Sequence, residues 1–215
     1  FEALVARRAA GEPAAYLLGE REFWNFTLAL SPATLIPRPE TELLVELALA
    51  RLPPGAVLDV ADLGTGSGAI ALALARERPG ARVLATDASA EALTVARRNA
   101  EKLRIPNVRF VHGDWYAALG SMRFALIVSN PPYLAEDDVH LDRGDLRFEP
   151  RSALASGANG LNALRHIIAN APTHLASHGW LLVEHGYMQG DAVRALFAAS
   201  GFADVATMVD LEGRE

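Results

Sequence analysis

Asn130, Pro131, Pro132 and Tyr133 are the residues of this sequence best suited to hold a small planar group for chemistry. The side-chain carbonyl of Asn130 is one hydrogen-bond acceptor, and the main-chain carbonyl of Pro131, which no local N–H claims, is a second. Two acceptors set at an angle can take both hydrogens of one –NH2 group and leave a face of its nitrogen open to attack. Tyr133 adds an aromatic surface on which a conjugated plane can rest. The group held this way is an amide or an exocyclic amine. An ordinary Asn-Pro turn after a strand uses the same residue types, so the reading depends on the residues around it.

A second constellation lies upstream, at Asp62-Leu63-Gly64-Thr65-Gly66-Ser67-Gly68. Glycines where a strand turns into a helix let the backbone bend sharply and come within contact of a ligand. A dinucleotide site would show G-x-G-x-x-G with the pyrophosphate on the helix N-terminus. Here the third glycine comes one residue early and an acid precedes the first, a pattern suited to a ligand with an ammonium and no pyrophosphate. S-adenosylmethionine is such a ligand, although a tight packing turn could carry the same glycines. Asp87, about twenty residues on, can accept both ribose hydroxyls; its alternative is a helix cap beside Ser89. Asp114 and Trp115 offer a polar group and a flat ring for an adenine, with a core aromatic as the other reading of Trp115.

The elements that must position these residues follow from apolar patterning. Strands are expected over 57–63, 82–86, 107–112, 124–129, 180–184 and 203–208. Helices are expected over 70–78, from Ser89 to about Leu103, and over 161–175 and 189–200. Repeated strand–helix units imply a parallel, doubly wound sheet, and they put both constellations at carboxyl ends of strands, where ligands of such sheets bind. Pro37-Arg38-Pro39-Glu40 opens a further helix, with Pro39 in its first turn and Leu43, Leu44, Leu47 and Ala48 on its apolar face. Residues 1–36 read as the end of a separate helical module plus a hairpin, and 37–215 as the main domain. Residues 135–159 show no periodicity and many charges; coming directly after Tyr133, they are expected to cover the substrate.

The chain has 215 residues, a formal net charge of −6 and no cysteine, which removes thiolate metal sites and disulfides. An acidic protein without Lys/Arg runs is poorly suited to a large phosphate surface. No apolar run is long enough to span a bilayer. His112, His140 and His185 do not have metal-ligand spacing, and no metal is expected.

Taken together, the chain resembles the release-factor glutamine N5-methyltransferases, the PrmC (once HemK) family. The resemblance rests on Gly11-Glu12-Pro13, Leu35 to Glu42, Asp62 to Ala71, Ser129 to Tyr133, His140-Leu141, Arg147 to Pro150 and Glu184-His185-Gly186. Asn-Pro-Pro-Tyr alone is shared with adenine and other amino methyltransferases, whereas Ile-Pro-Arg-Pro-Glu-Thr-Glu and Arg-Phe-Glu-Pro are far more specific. The resemblance implies a Rossmann-like class I fold whose seven-stranded sheet ends in an antiparallel strand, after a small helical domain and a hairpin. It implies methylation of the glutamine amide in the Gly-Gly-Gln motif of class 1 peptide chain release factors, in the cytoplasm. It assigns Gly64, Thr65, Gly66, Ser67 and Gly68 to the methionine part of S-adenosylmethionine, Asp87 to the ribose and Trp115 to the adenine. Asn130, Pro131, Pro132 and Tyr133 would hold the substrate amide, with Asn130 also near the cofactor. Against the family pattern, most of the helical domain and the final strand are expected to fall outside these residues. Two other readings compete. An adenine or guanine amino methyltransferase would use the same hook but needs a basic face or a base-flipping module. A non-catalytic cofactor-binding module would not need the hook.

Overall fold

A computed structural model describes residues 1–209 and 213. The chain opens with α1 (Glu2–Ala9) and α2 (Ala14–Leu18), then a hairpin of β1 (Glu20–Phe23) and β2 (Phe26–Ala29). The alternation of the hairpin sends Phe23, Phe26 and Leu28 inward, where they join Leu44, Val45 and Ala48 of α3 (Thr41–Arg51) in one core. Because α3 starts at Thr41, Pro39 stands ahead of the helix rather than in its first turn, in a turn that closes with Glu42 N–H on Pro39 C=O. The inward face of α3 is Thr41, Leu44, Val45 and Ala48, so Thr41 is buried where a surface hydroxyl would be expected.

From there strand and helix alternate: β3 (Asp59–Leu63), α4 (Ala69–Glu77), β4 (Arg82–Asp87), α5 (Ala90–Leu103), β5 (Val108–His112), β6 (Phe124–Ser129), α6 (Asn162–His174), β7 (Leu175–Val183) and α7 (Gly190–Ala199). The Ser89 hydroxyl caps α5 by accepting from Ala92 N–H at 3.1 Å. The five strands from β3 on lie in the order β5-β4-β3-β6-β7, and every neighbouring pair is parallel. The pleat shares the apolar residues between two faces. Val60, Leu126 and Val128 pack with α3, α4 and the hairpin, while Leu63, Ile127 and Leu181 pack with α6. Burial on both faces is why β6 reads as an almost continuous apolar run.

Strand order, more than strand count, places the site. The chain moves outward from β3 to β5 and then returns to the other side of β3, which makes β3/β6 the point where the winding reverses. The Ser129 hydroxyl donates to the Leu63 carbonyl at 2.7 Å and ties those two strand ends together.

Two expectations are corrected. The sheet among the described residues has five parallel strands, not seven with an antiparallel last one, and residues 203–208 form no strand. The backbone explains the second point: Asp204 has φ +54, outside the strand region. Phe202 turns edge-on to Phe197 of α7 at 5.0 Å, and Arg194 donates to the Thr207 hydroxyl, so this segment is fastened to a helix instead of a sheet edge. Residues 135–159 hold three single turns of tight helix, at Val139–Asp142, Leu146–Phe148 and Arg151–Ala153. The segment closes on itself through a bridge between Leu134 and Ala155. It is anchored by Glu149, whose buried carboxylate takes the Ile36 N–H at 2.9 Å and pairs with Arg38.

Candidate active site

A cavity of about 350 Å³ opens at the β3/β6 strand ends, with the glycine turn and Asp87 at one end and Asn130 and Pro132 at the other. Leu35 and Pro37 border it on one side and Pro150, Ser152 and Ala153 on another, so the Glu149 anchor shapes its rim.

The glycine turn is built by the backbone. Gly64 N–H and Thr65 N–H both donate to the Thr86 carbonyl at 2.9 Å, and Gly66 N–H donates to Asp87 Oδ2 at 2.8 Å. Gly64 sits at φ +72, and a Cβ there would come 3.2 Å from Cζ3 of Trp115, so only glycine leaves that approach open. Trp115 itself holds φ +44, a conformation a bulky residue keeps only under constraint from its surroundings. Asp87 also receives Ser89 N–H on Oδ1 at 2.8 Å, which fixes the carboxylate while leaving each oxygen a free lone pair.

Asp62 lies fully buried beneath the turn. Its Oδ2 accepts from the Thr65 hydroxyl at 2.6 Å and from Ala71 N–H at 3.1 Å, but its Oδ1 has no partner. Burial pushes this carboxyl up to about 7; the Thr65 and Ala71 bonds oppose the shift and the charge of Asp87 adds to it. Asp62 Oδ1 is thus a buried acceptor left without a partner just ahead of the glycine turn, and Asp62 itself does not line the cavity.

The far end is built by side chains. Asn130 Nδ2 donates to the Thr41 hydroxyl at 3.0 Å, and that hydroxyl donates to Glu184 Oε2 at 2.7 Å. The Tyr133 hydroxyl donates to Glu184 Oε1 at 3.2 Å. Burial raises the Glu184 carboxyl, against the hydrogen bonds from Thr41, Tyr133 and Asn130. Burial, then the Glu184 charge, pushes the Tyr133 phenol well above its ordinary value, so it stays a neutral donor. Gln189 Nε2 donates to the Tyr133 carbonyl at 2.9 Å, and Gly160 leaves room for that contact, since a Cβ there would lie 2.1 Å from the same oxygen. The Pro131 carbonyl accepts from none of the described residues.

The structure therefore brings Gly64 to Ser67, Asp87, Trp115, Asn130 and Pro132 onto one cavity. Gly68, at φ +88, begins α4 against Leu72 and Ala96 rather than on the cavity wall. Pro131 and Tyr133 flank Pro132 without being among the residues that line the cavity, and the Tyr133 hydroxyl turns to Glu184. Sequence reasoning gave no role to Thr41, Asn99, Glu184 or Gln189. Asn99 is fully buried and donates to the Ser67 carbonyl at 2.9 Å while pairing with both main-chain groups of Ala29. Glu184 did carry a signal: an acid at the carboxyl end of an apolar strand, beside the strand that bears the hook.

A family model described as "Methyltransferase small domain" matches residues 40–146. The release factor glutamine methyltransferase of Xylella fastidiosa (strain Temecula1) is 60% identical over 215 residues, covering 100% of this chain and 78% of that protein. That of Escherichia coli (strain K12) is 52% identical over 217 residues, with 100% and 77% covered. Among solved structures, the T. thermophilus 16S rRNA N2 G1207 methyltransferase (RsmC), in complex with AdoMet and guanosine, shares the fold at a TM-score of 0.61. Its identity is 23%, over 84% of this chain and 44% of that one. The first two similarities run the whole length of the chain, the glycine turn and the hook included. On that ground the chain belongs to the release factor glutamine methyltransferase family.

Proposed function

We propose that this protein transfers a methyl group from S-adenosylmethionine to the side-chain amide nitrogen of the glutamine in the Gly-Gly-Gln motif of class 1 peptide chain release factors. The observation that carries this reading is Asn130: its amino end is committed to Thr41, so its carbonyl oxygen is left to accept an amide N–H at the cavity wall. The names of the relatives supply the substrate. The chain's residues fit the cofactor. The unpartnered oxygen of Asp62 suits the ammonium, Gly64 to Ser67 leave the methionine chain its room, Asp87 suits the ribose hydroxyls and Trp115 the adenine.

S-adenosylmethionine would supply an electrophilic methyl group whose bond to the sulfonium breaks as the new N–C bond forms, and the amide nitrogen gives up one of its two protons to solvent. The chain's own task is to position a poor nucleophile, because the amide nitrogen's lone pair is delocalised. Asn130 Oδ1 and the Pro131 carbonyl accept the two amide hydrogens and aim the nitrogen's open face down the cavity. Tyr133, pinned by Glu184, bounds the amide plane. Alignment of this kind is worth roughly 7 kcal/mol or more in favourable systems. Pro150, Ser152 and Ala153 border the cavity and support a covering role for residues 135–159. Residues 1–36 serve as the end of a helical module with its hairpin and 37–215 as the catalytic domain. A cytoplasmic site of action follows from the substrate; no helix among the described residues is long and apolar enough to cross a membrane. The net charge of −6 supports a protein substrate over nucleic acid.

The test is methyl transfer from labelled S-adenosylmethionine to a purified release factor, its Gln→Ala variant, DNA and RNA in parallel. Label on the intact factor alone is expected. Label on nucleic acid would replace the substrate while keeping the fold and the hook.

A further inference from the structure

We infer that Glu184 is a positioning residue that sets the direction of a hydrogen-bond chain, Glu184–Thr41–Asn130, and so decides which end of the Asn130 amide meets the substrate. This role rests on the proposed methyl transfer to a glutamine amide and adds a part to it. A carboxylate only accepts, a hydroxyl has one proton to give, and a primary amide has a donating and an accepting end. Glu184 comes directly after β7, where its N–H donates to the Ser129 carbonyl at 3.0 Å, so its place beside the hook is fixed by the sheet. Both of its oxygens face hydroxyls, Thr41 at 2.7 Å and Tyr133 at 3.2 Å.

The Thr41 proton is therefore committed to Glu184. What Thr41 offers Asn130, 3.0 Å away, is a lone pair. Asn130 must turn its amino group to Thr41, and its carbonyl oxygen is left for the cavity that Asn130 lines. In the reversed orientation the amino group would face a substrate –NH2, donor against donor. Thr41 is buried, so no bulk water competes to reorient its hydroxyl. The chain of bonds joins three elements: the first turn of α3, the end of β6 and the end of β7.

Glu184→Gln keeps shape and size but can present an amino group to Thr41. That frees the Thr41 proton for Asn130 Oδ1 and turns the amide the wrong way. The expected result on the full chain, with release factor as substrate, is a kcat loss of about 10²-fold with the cofactor Kd within about twofold, a split that marks positioning at the reacting group. Thr41→Ser keeps the hydroxyl and should stay within about threefold of wild type, while Thr41→Val should lose about tenfold. The decisive arm is the double variant. Without the hydroxyl the relay through Thr41 is gone and only the direct bond from Asn130 to Glu184 remains, so Glu184→Gln should cost clearly less in the Thr41→Val background than in wild type. A merely structural Glu184 would give additive losses, and that outcome overturns the inference. Wild-type turnover in Glu184→Gln, or equal rates for Thr41→Ser and Thr41→Val, would overturn it too; the threonine pair stays decisive if the glutamine variant folds poorly. Wild-type protein that leaves the release factor unlabelled overturns the functional reading itself, and with it this addition.

Discussion

The two ends of the cavity are made by different means. At the glycine turn the donors are mostly main-chain N–H groups, reaching acceptors on the same strand–helix unit or the next strand: Gly64 and Thr65 on the Thr86 carbonyl, Gly66 on Asp87, Ala71 on Asp62. At the hook the contacts are mostly side-chain and remote: 89 residues separate Asn130 from Thr41, and 143 separate Thr41 from Glu184. A site for one unvarying ligand can be cast largely in backbone, whose shape follows from glycine conformations. A site that must hold one face of an amide needs an acceptor of definite polarity, and only a series of side chains with a defined donor order supplies it. The difference teaches that damage to the first end should show in binding and stability, and damage to the second in rate.

The largest effect should come from the hook. Asn130→Ala removes the substrate acceptor while the glycine turn and Asp87 keep their own hydrogen bonds. A loss of about 10²–10³-fold in kcat is expected, the scale set by removing one preorganised hydrogen-bonding group from a reacting centre. Cofactor affinity measured by calorimetry should hold; if it falls in step with kcat, the two ends are not separate.

A smaller effect should come from the opposite end. Asp87→Ala removes the ribose acceptor and also leaves Gly66 N–H and Ser89 N–H without their partner. Losing one charge-assisted hydrogen bond, about 1.5–3 kcal/mol, should raise the cofactor Kd about 10–10²-fold. Rate at saturating cofactor should stay close to wild type. Unchanged affinity would remove Asp87 from the ribose, and a large kcat loss at saturation would blur the division.

How much was legible in the sequence divides in the same way. The strand–helix rhythm, the glycine turn and Asp87 could be read because their signals are local: apolar runs of strand length, glycines at a strand end, an acid one strand later. The hook was legible as a motif, but what orients it was not. Thr41 reads as an ordinary first-turn helix residue and Glu184 as a strand-end acid, and nothing in their spacing says that they meet. Asn99 likewise reads as a polar residue on α5, yet it joins the hairpin to the turn. The expected last strand failed for a different reason: the apolar pattern of 203–208 fits a strand, but Asp204 takes a left-handed conformation and Thr207 is held by α7. Local pattern cannot foresee such a contact.

The finest test of the comparison is in Asp62, where the backbone end carries a cost in stability. Its carboxyl, ordinarily near 3.8, is pushed up to about 7 by burial. A group whose pKa is raised on folding stabilises the fold fully below its unfolded value, and that stability is lost as pH rises through the folded value. Between pH 6 and pH 8 the fold should therefore lose roughly 1 kcal/mol through this group, about 2–4 °C in Tm. Asp62→Asn cannot titrate, so its Tm should change less over that range than wild type. S-adenosylmethionine should also flatten the wild-type curve, because an ammonium beside the orphaned oxygen removes the cost of the charge. If asparagine leaves the slope unchanged, Asp62 is not held at that cost, and the cofactor end would be no more strained without its ligand than the hook is.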